Sequence, residues 1–232
     1  MAEPIFTIMA EDPHIVTFRG DEFDFMGEHG KWYNFLSAGT VQLNAKMTTF
    51  ESNRTYISAV GLKLGHKLDA IHLVHAQMDG DIIAFDLADL HGAKSYLLNE
   101  MNQPFEMSVD IKPKKYLSIN AGNFVIKITR GIEMYNEIRC PHINIHVDIG
   151  ELGTISDGVI PHGVVGQFAT RLKGLPRKLV CKQGEGIIDG NYNDYEVSGP
   201  FADDFKFNRF NTEPTTEKKY GYGVSRHAIS YL

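Results

Sequence analysis

Hydrophobic and polar residues alternate along several segments of this protein. Residues 41–47, 125–129 and 143–149 place apolar side chains at every second position, with Gln, Asn, Lys, His, Thr or Asp between them. A period of two is typical of β-strands that bury one face and leave the other polar. We therefore predict that these segments are strands.

Short turn-forming stretches divide the strand-like segments. They are rich in glycine, aspartate or asparagine and occupy residues 27–30, 79–81, 120–123, 150–153 and 184–190. Many short strands between such turns favour an antiparallel sandwich or barrel. The one helix candidate is 84–98, where Gly92 interrupts an apolar pattern. The sequence thus predicts an all-β fold, an antiparallel β-sandwich with at most one or two short helices.

Composition and charge narrow the class of protein. The 232 residues are 43% hydrophobic and 22% charged, with a formal charge of −6, which suits one globular domain. No concentrated basic face is evident, so we expect no nucleic acid partner. No apolar run reaches the roughly 18 residues of a membrane span. The acidic first residues do not resemble a signal peptide, so we expect synthesis in the cytoplasm without a classical secretion signal.

The two cysteines, Cys140 and Cys181, allow one disulfide at most, and the sequence leaves open whether they are bonded. In a strand, the polar residues from Cys140 onward share one face, namely Cys140, His142, Asn144, His146 and Asp148. Such a face could bind zinc or form a pH-sensitive contact. The sequence favours a solvated or interface-facing surface, because alternate strand positions do not converge on one ion without ligands from elsewhere.

Three segments together resemble a known family. Asp12-Pro13-His14-Ile15-Val16-Thr17-Phe18-Arg19-Gly20 resembles the G-D-P-H-x-x-T-F-D-G opening of von Willebrand factor type D domains. Pro161–Phe168 is similar to the H-G-L-L-G-Q-F segment in the C-terminal region of inter-alpha-trypsin inhibitor heavy chains, a type D relative. Residues 188–193 with Asp203-Asp204-Phe205 resemble the family's G-L-C-G-N-Y-N…D-D-F. The resemblance implies a type D sandwich at 11–211, preceded by an extension (1–10). After Phe210 the composition changes to polar residues with spaced glycines and tyrosines, which predicts an arm at 212–232.

In calcium-bearing members of that family, the last segment and the Asp of T-F-D-G hold the ion. The resemblance implies Asn191, Asn193, Asp203 and Asp204 as the ligands here, a set of oxygens that suits calcium. Arg19 replaces the family's Asp. We expect its guanidinium to pair with Asp203 or Asp204 in place of the metal. The alternative is that Asp21 or Asp194 substitutes and calcium is retained.

Some relatives cleave themselves between Asp and Pro, and Asp12-Pro13 preserves that pair. The preceding residue is Glu11, where the family has a glycine, so the backbone freedom that a strained turn would use is lost. The family's disulfides are also missing, since Asp189 replaces the Cys of G-L-C-G-N. We expect a turn that enters the first strand, with self-cleavage as the alternative.

No nucleophile elbow, P-loop, dinucleotide fingerprint or His-Glu-x-x-His motif is present. We expect a non-enzymatic structural or adhesive module in a larger protein assembly, with other structural proteins or copies of itself as partners. A minor capsid protein or other virion component is one such role. The alternatives are a calcium-binding or self-cleaving module and a secreted adhesive or glycan-binding matrix protein. In the arm, the candidate partner-binding residues are Tyr220, Tyr222, Arg226 and His227.

Overall fold

Two antiparallel β-sheets pack face to face, so the predicted all-β sandwich is confirmed. The computed structural model describes residues 5–10, 13–18, 20–50, 54–65, 72–88, 95–97, 105–110, 116–121, 124–149, 159, 161–169 and 187–210. Its helices within these ranges are two short 3₁₀ turns, η1 (Gly166–Phe168) and η2 (Tyr192–Tyr195). No helix in the described part of the protein is long and apolar enough to cross a bilayer.

The first sheet has eight strands in the order β3-β2-β1-β13-β12-β11-β10-β9. Their bounds are β1 Ile5–Ala10, β2 His14–Val16, β3 Glu22–Asp24, β9 Ser95–Leu97, β10 Phe105–Asp110, β11 Tyr116–Ala121, β12 Phe124–Tyr135 and β13 Ile138–Ile149. The second sheet has six strands in the order β14-β4-β5-β6-β7-β8. Their bounds are β4 Trp32–Ser37, β5 Val41–Thr49, β6 Thr55–Leu64, β7 His72–Asp79, β8 Ile82–Ala88 and β14 Glu196–Val197.

The core lies between the apolar faces of the two sheets, and β13 packs on β6 and β7. The alternating segments 41–47, 125–129 and 143–149 lie in β5, β12 and β13, so these strand predictions are confirmed. Their apolar positions are buried, including Leu43 and Ile145. Phe25 adds edge-to-face contacts with Tyr33 and Phe35, at centroid distances of 5.3 and 5.4 Å.

Two parts of the sequence form strands where other structure was expected. The predicted helix at 84–98 is wrong: its described residues belong to β8 and β9. Apolar residues also occur at every second position from Ile83 to Leu87, and this period of two matches the unbroken pairing of β8 with β7. Residues 5–10, predicted as part of an extension, are β1, which lies between β13 and β2 inside the sheet.

Residues 187–210, which we call the C-terminal strap, cover the outer face of the six-stranded sheet over β5 and β6. β5 turns Gln42 and Asn44 toward this outer face, and both are almost completely buried. Most buried polar groups have hydrogen-bond partners, and here the side-chain N–H groups of Gln42 and Asn44 have them although, within the described ranges, the Gln42 Oε1 atom does not. The contacts between strap and sheet are therefore the ones that define the candidate site.

Candidate functional site

The strap docks on the sheet through side chains that bind its backbone. The amide of Asn44 donates hydrogen bonds to the carbonyl oxygens of Gly199, Pro200 and Ala202, at 3.2, 3.1 and 2.9 Å. The amide of Gln42 also donates to the carbonyl of Ala202. These bonds satisfy backbone acceptors that form no strand ladder. The strap is thus held by side chains of β5.

Further contacts fix the end of the strap. The Lys63 ammonium donates to the Phe201 carbonyl at 3.1 Å and pairs with Asp203 at 2.9 Å. The hydroxyl of Ser37 accepts hydrogen bonds from the backbone N–H groups of Arg209 and Phe210, at 2.7 and 3.1 Å. Ser37 is the last residue of β4 and Lys63 belongs to β6, so the sheet holds the strap at both strands.

Two ion pairs lie where the middle of the strap meets the sheet edge. The Lys31 ammonium lies 2.9 Å from carboxylate oxygens of both Glu196 and Glu28. The pKa of Lys31 lies above its ordinary value, first because Lys31 hydrogen-bonds Glu196 and second because it hydrogen-bonds Glu28. Glu196 belongs to β14, which pairs with β4. This cluster therefore reinforces the short strand that the strap adds to the sheet.

A hydrogen-bond network of three buried side chains and one partly exposed carboxylate joins the strap to residues 161–169. It consists of His162, Gln167, Asp189 and Tyr195, and we call it the His162 network. The amide of Gln167 donates to the Tyr195 hydroxyl at 3.0 Å, and the Asp189 N–H donates to the Gln167 side-chain oxygen at 2.9 Å. The Tyr195 hydroxyl donates to the Asp189 carbonyl at 2.7 Å. Two of the segments that carry the family resemblance therefore meet in one network.

The imidazole of His162 is fixed at both nitrogens. Its Nδ1 accepts the Gly163 N–H at 2.8 Å, so the proton of the neutral ring is on Nε2, which lies 3.3 Å from the Asp189 carboxylate. The ring stacks on Phe207 at a centroid distance of 4.4 Å and on Tyr195 at 6.0 Å. His162 is 1% exposed. Both ring nitrogens thus have partners within the fold.

Residues 161–169 are themselves attached to β4. Ser37 and His162 exchange two backbone hydrogen bonds of 2.8 Å. Gly163 has φ +99°, and a Cβ there would lie 2.5 Å from the Asn34 side-chain oxygen. Only glycine suits this combination of backbone angle and close approach. The glycine of the Pro-His-Gly sequence thus lets the segment lie against the strand.

The calcium ligands implied by the resemblance begin in the turn around η2. The side-chain oxygen of Asn191 accepts the Asn193 N–H at 3.0 Å, and the Asp194 carboxylate accepts the Asn191 N–H at 3.0 Å. Together these bonds form a capping box. Lys206 also pairs with Asp194 at 3.1 Å. The hydrogen bond from Asn191, followed by Lys206, lowers the pKa of Asp194.

The two remaining ligand candidates also have partners within the protein. Asp203 pairs with Lys63, and Asp204 accepts the Ser198 N–H at 3.1 Å. Burial would raise the pKa of Asp204, but the hydrogen bonds from Ser198 bring it below its ordinary value. Among the residues that the structure describes, no three His, Cys, Asp or Glu side chains form a group that could hold a metal ion. Arg19 lies outside them, so its ion pair stays a prediction.

Several other predicted residues lie outside the described ranges. They are Asp12 of the Asp-Pro pair, Cys181, and the arm residues Tyr220, Tyr222, Arg226 and His227. Pro13 is described: it is buried in a turn, and its carbonyl accepts the Phe25 N–H at 3.0 Å. His14 then begins β2 and pairs with Asp24 at 2.9 Å. The expected turn into a strand is therefore present.

The polar face of β13 is only partly solvated. Cys140, a free thiol, and His142 are each 1% exposed, which corrects the expectation that this whole face is solvated or faces an interface. His142 packs on the Tyr56 ring at a centroid distance of 5.2 Å and lies over Gly131, where any larger residue would collide with it. Further along, His146 bonds Asp148 at 2.8 Å.

The sequence did not identify the docking role of Gln42 and Asn44 or the joining role of Gln167. A usable signal was present in β5, because neutral amides rather than charges occupy its polar face at residues 42 and 44. Amides both donate and accept hydrogen bonds, and they cost less to bury than charges do. The partners were unpredictable because they lie more than 150 residues away in the sequence.

Scans against protein-family models and against curated proteins give no match for this protein. The type D resemblance therefore remains a prediction that is carried by the residues quoted above.

Proposed function

We propose that this protein is a non-enzymatic structural or adhesive module of the von Willebrand type D kind that acts within a larger protein assembly. The observation that carries the proposal is the His162 network. It uses the residues of the resembling segments to join the strap to the sandwich. These polar groups hydrogen-bond to one another within the fold, and such networks make a domain rigid.

An exposed apolar surface supports a role in assembly. In the β12–β13 hairpin, Ile132 and Met134 occupy the same alternate positions of β12 as the buried Ile126 and Ile128, but they are 37% and 61% exposed. Contiguous apolar patches, unlike single exposed residues, indicate contact surfaces, and these two residues are neighbours on one face of β12. The partners we propose are other structural proteins or copies of this protein, and the proposed site of synthesis is the cytoplasm, with incorporation into a virus particle as one setting.

Fractionation of the cells or particles that contain the native protein tests this proposal. We expect the protein to sediment with a large assembly at a fixed ratio to its partners and to stay there after a high-salt wash. Recovery only as a free monomer or small oligomer would contradict it.

A melting curve with calcium and with chelator tests the calcium alternative, because an ion bound only to the folded state must raise the midpoint. We expect no shift, since Asp203 and Asp204 have partners within the protein.

A further inference from the structure

The edges of the two sheets differ in how they are protected. β3, β9 and β14 have two or three residues each, and at β3 the side chains of His14, Glu22 and Asp24 form a charged cluster. β8 is an edge strand of seven residues, Ile-Ile-Ala-Phe-Asp-Leu-Ala, without Lys, Arg or Pro. Its register with β7 has no bulge. Short length, bulges, proline and charged side chains are the usual protections of an edge, and of these β8 has only the exposed carboxylate of Asp86.

The turn before β8 determines which backbone groups face the open edge. Asp79 and Ile82 flank a two-residue turn, and Gly80 has φ +56°. In such a hairpin the flanking residues form the first hydrogen-bonded pair, and the bonding pairs then alternate. The backbone groups of Ile83, Phe85 and Leu87 therefore point away from β7. In the described part of the protein, no strand pairs with this side of β8.

These groups are complementary to those of a second β8 strand. In an antiparallel pair centred on Phe85, Ile83 lies opposite the partner's Leu87, and the three outward-facing residues of each strand form about six hydrogen bonds. In the same register Ala84 lies opposite the partner's Asp86. The two Asp86 carboxylates are therefore offset, and like charges do not meet. Ile82, which is 47% exposed, would lie opposite the partner's Ala88.

We propose that β8 pairs with β8 of a second copy about a two-fold axis, which joins two six-stranded sheets into one continuous sheet. The contact is isologous, so each copy supplies the same strand. This inference rests on the proposed structural function and names a second copy of the protein as its partner at this edge. The surface through which two copies assemble is therefore the backbone edge of residues 82–88.

Opposite charges at Ala84 test the register. Ala84 pairs with the exposed Gln77 within one copy, so either charge has a neutral neighbour there. Ala84→Asp sets a carboxylate against the partner's Asp86 in both halves of the dimer, whereas Ala84→Lys sets an ammonium there. By sedimentation equilibrium, we expect a wild-type dimer, an increase of about tenfold in Kd for Ala84→Asp, and an unchanged or lower Kd for Ala84→Lys. The double variant Ala84→Asp with Asp86→Lys should restore the dimer.

A wild-type protein that is monomeric at all concentrations would overturn the inference, as would a dimer whose Kd is the same in both Ala84 variants. Melting curves of the two variants confirm that each is folded. The proposed function fails separately. A monomer in solution that is recovered inside a native particle removes only the edge pairing, whereas a dimer that never enters a larger native assembly removes the proposed function.

Discussion

The strap backbone passes directly over Gly61 of β6. Gly61 pairs with Asn44 on β5 and with His75 on β7, and a Cβ at this position would overlap the Pro200 carbonyl. The neighbouring His75 ring lies 6.3 Å from the Phe201 ring. Burial lowers the pKa of His75 despite the opposing charge of Asp86, so the ring beneath the strap is neutral at pH 7. Beneath the strap, Gly61 therefore has no side chain, and its cross-strand neighbours Asn44 and His75 are uncharged.

Replacing Gly61 with alanine should displace the strap, because the new methyl group meets backbone atoms that cannot rotate away. We expect Gly61→Ala to lower the free energy of unfolding by about 1–3 kcal/mol. Gly199→Ala is the matched control in the strap itself, where a Cβ has nothing within 4 Å. Urea denaturation of both variants measures the difference. Equal stability of the two would show that the strap does not press on β6.

At the scale of elements, η2 depends on its capping box. Asn191 and Asp194 exchange side-chain-to-backbone hydrogen bonds at the start of the turn, and Gly190 before it has φ +75°. The Asp194 carboxylate also receives Lys206. A charged acceptor at this position stabilises the turn only while it is ionised. The contribution of the cap to stability should therefore depend on pH.

Asp194→Asn should lower stability at pH 7 by about 0.5–1 kcal/mol, the usual range for a helix cap. The folded-state pKa of Asp194 lies below the ordinary value of 3.8. The stabilisation is thus complete above that value and is lost as pH falls through the folded-state pKa. Wild type and variant should differ at pH 7 and converge near pH 2 in thermal melts. Asp79→Asn, at an exposed residue of the β7–β8 turn, is the control. A difference that persists at low pH would contradict this account.

The sequence predicted the elements that are encoded locally and missed those that depend on distant contacts. The alternation in 41–47 and 143–149 predicted β5 and β13 because side chains on a strand alternate between two faces. The apolar spacing of 84–98 fitted a helix, but pairing with β7 made 82–88 a strand. The strap has little regular structure of its own, and its carbonyls accept hydrogen bonds from the Asn44 and Gln42 side chains of β5. The spacing of hydrophobic residues in the sequence gives no information about such long-range contacts.

At the scale of the whole molecule, the His162 network connects three parts of the fold. Residues 161–169 are bound to β4, the strap covers β5 and β6, and Gln167 contacts both Gly163 and Tyr195. Residues of the segments 161–168 and 188–193 meet in this network, a contact that the sequence did not predict. Their joint role depends on Gln167, whose amide can donate and accept at once. Loss of this amide should separate the strap from the sandwich.

Gln167→Leu should expose this dependence, because leucine has a similar volume but leaves the Asp189 N–H and the Val164 carbonyl without their partner at a residue that is 2% exposed. We expect a loss of about 2–4 kcal/mol in unfolding free energy. Amide hydrogen exchange in 187–210 should increase at least about tenfold more than in β5, since the strap would open locally. Gln77→Leu, at an exposed position of β7, should stay within about 0.5 kcal/mol of wild type. Uniform acceleration of exchange in strap and sheet would mean that the two unfold as one unit and that Gln167 does not join them specifically.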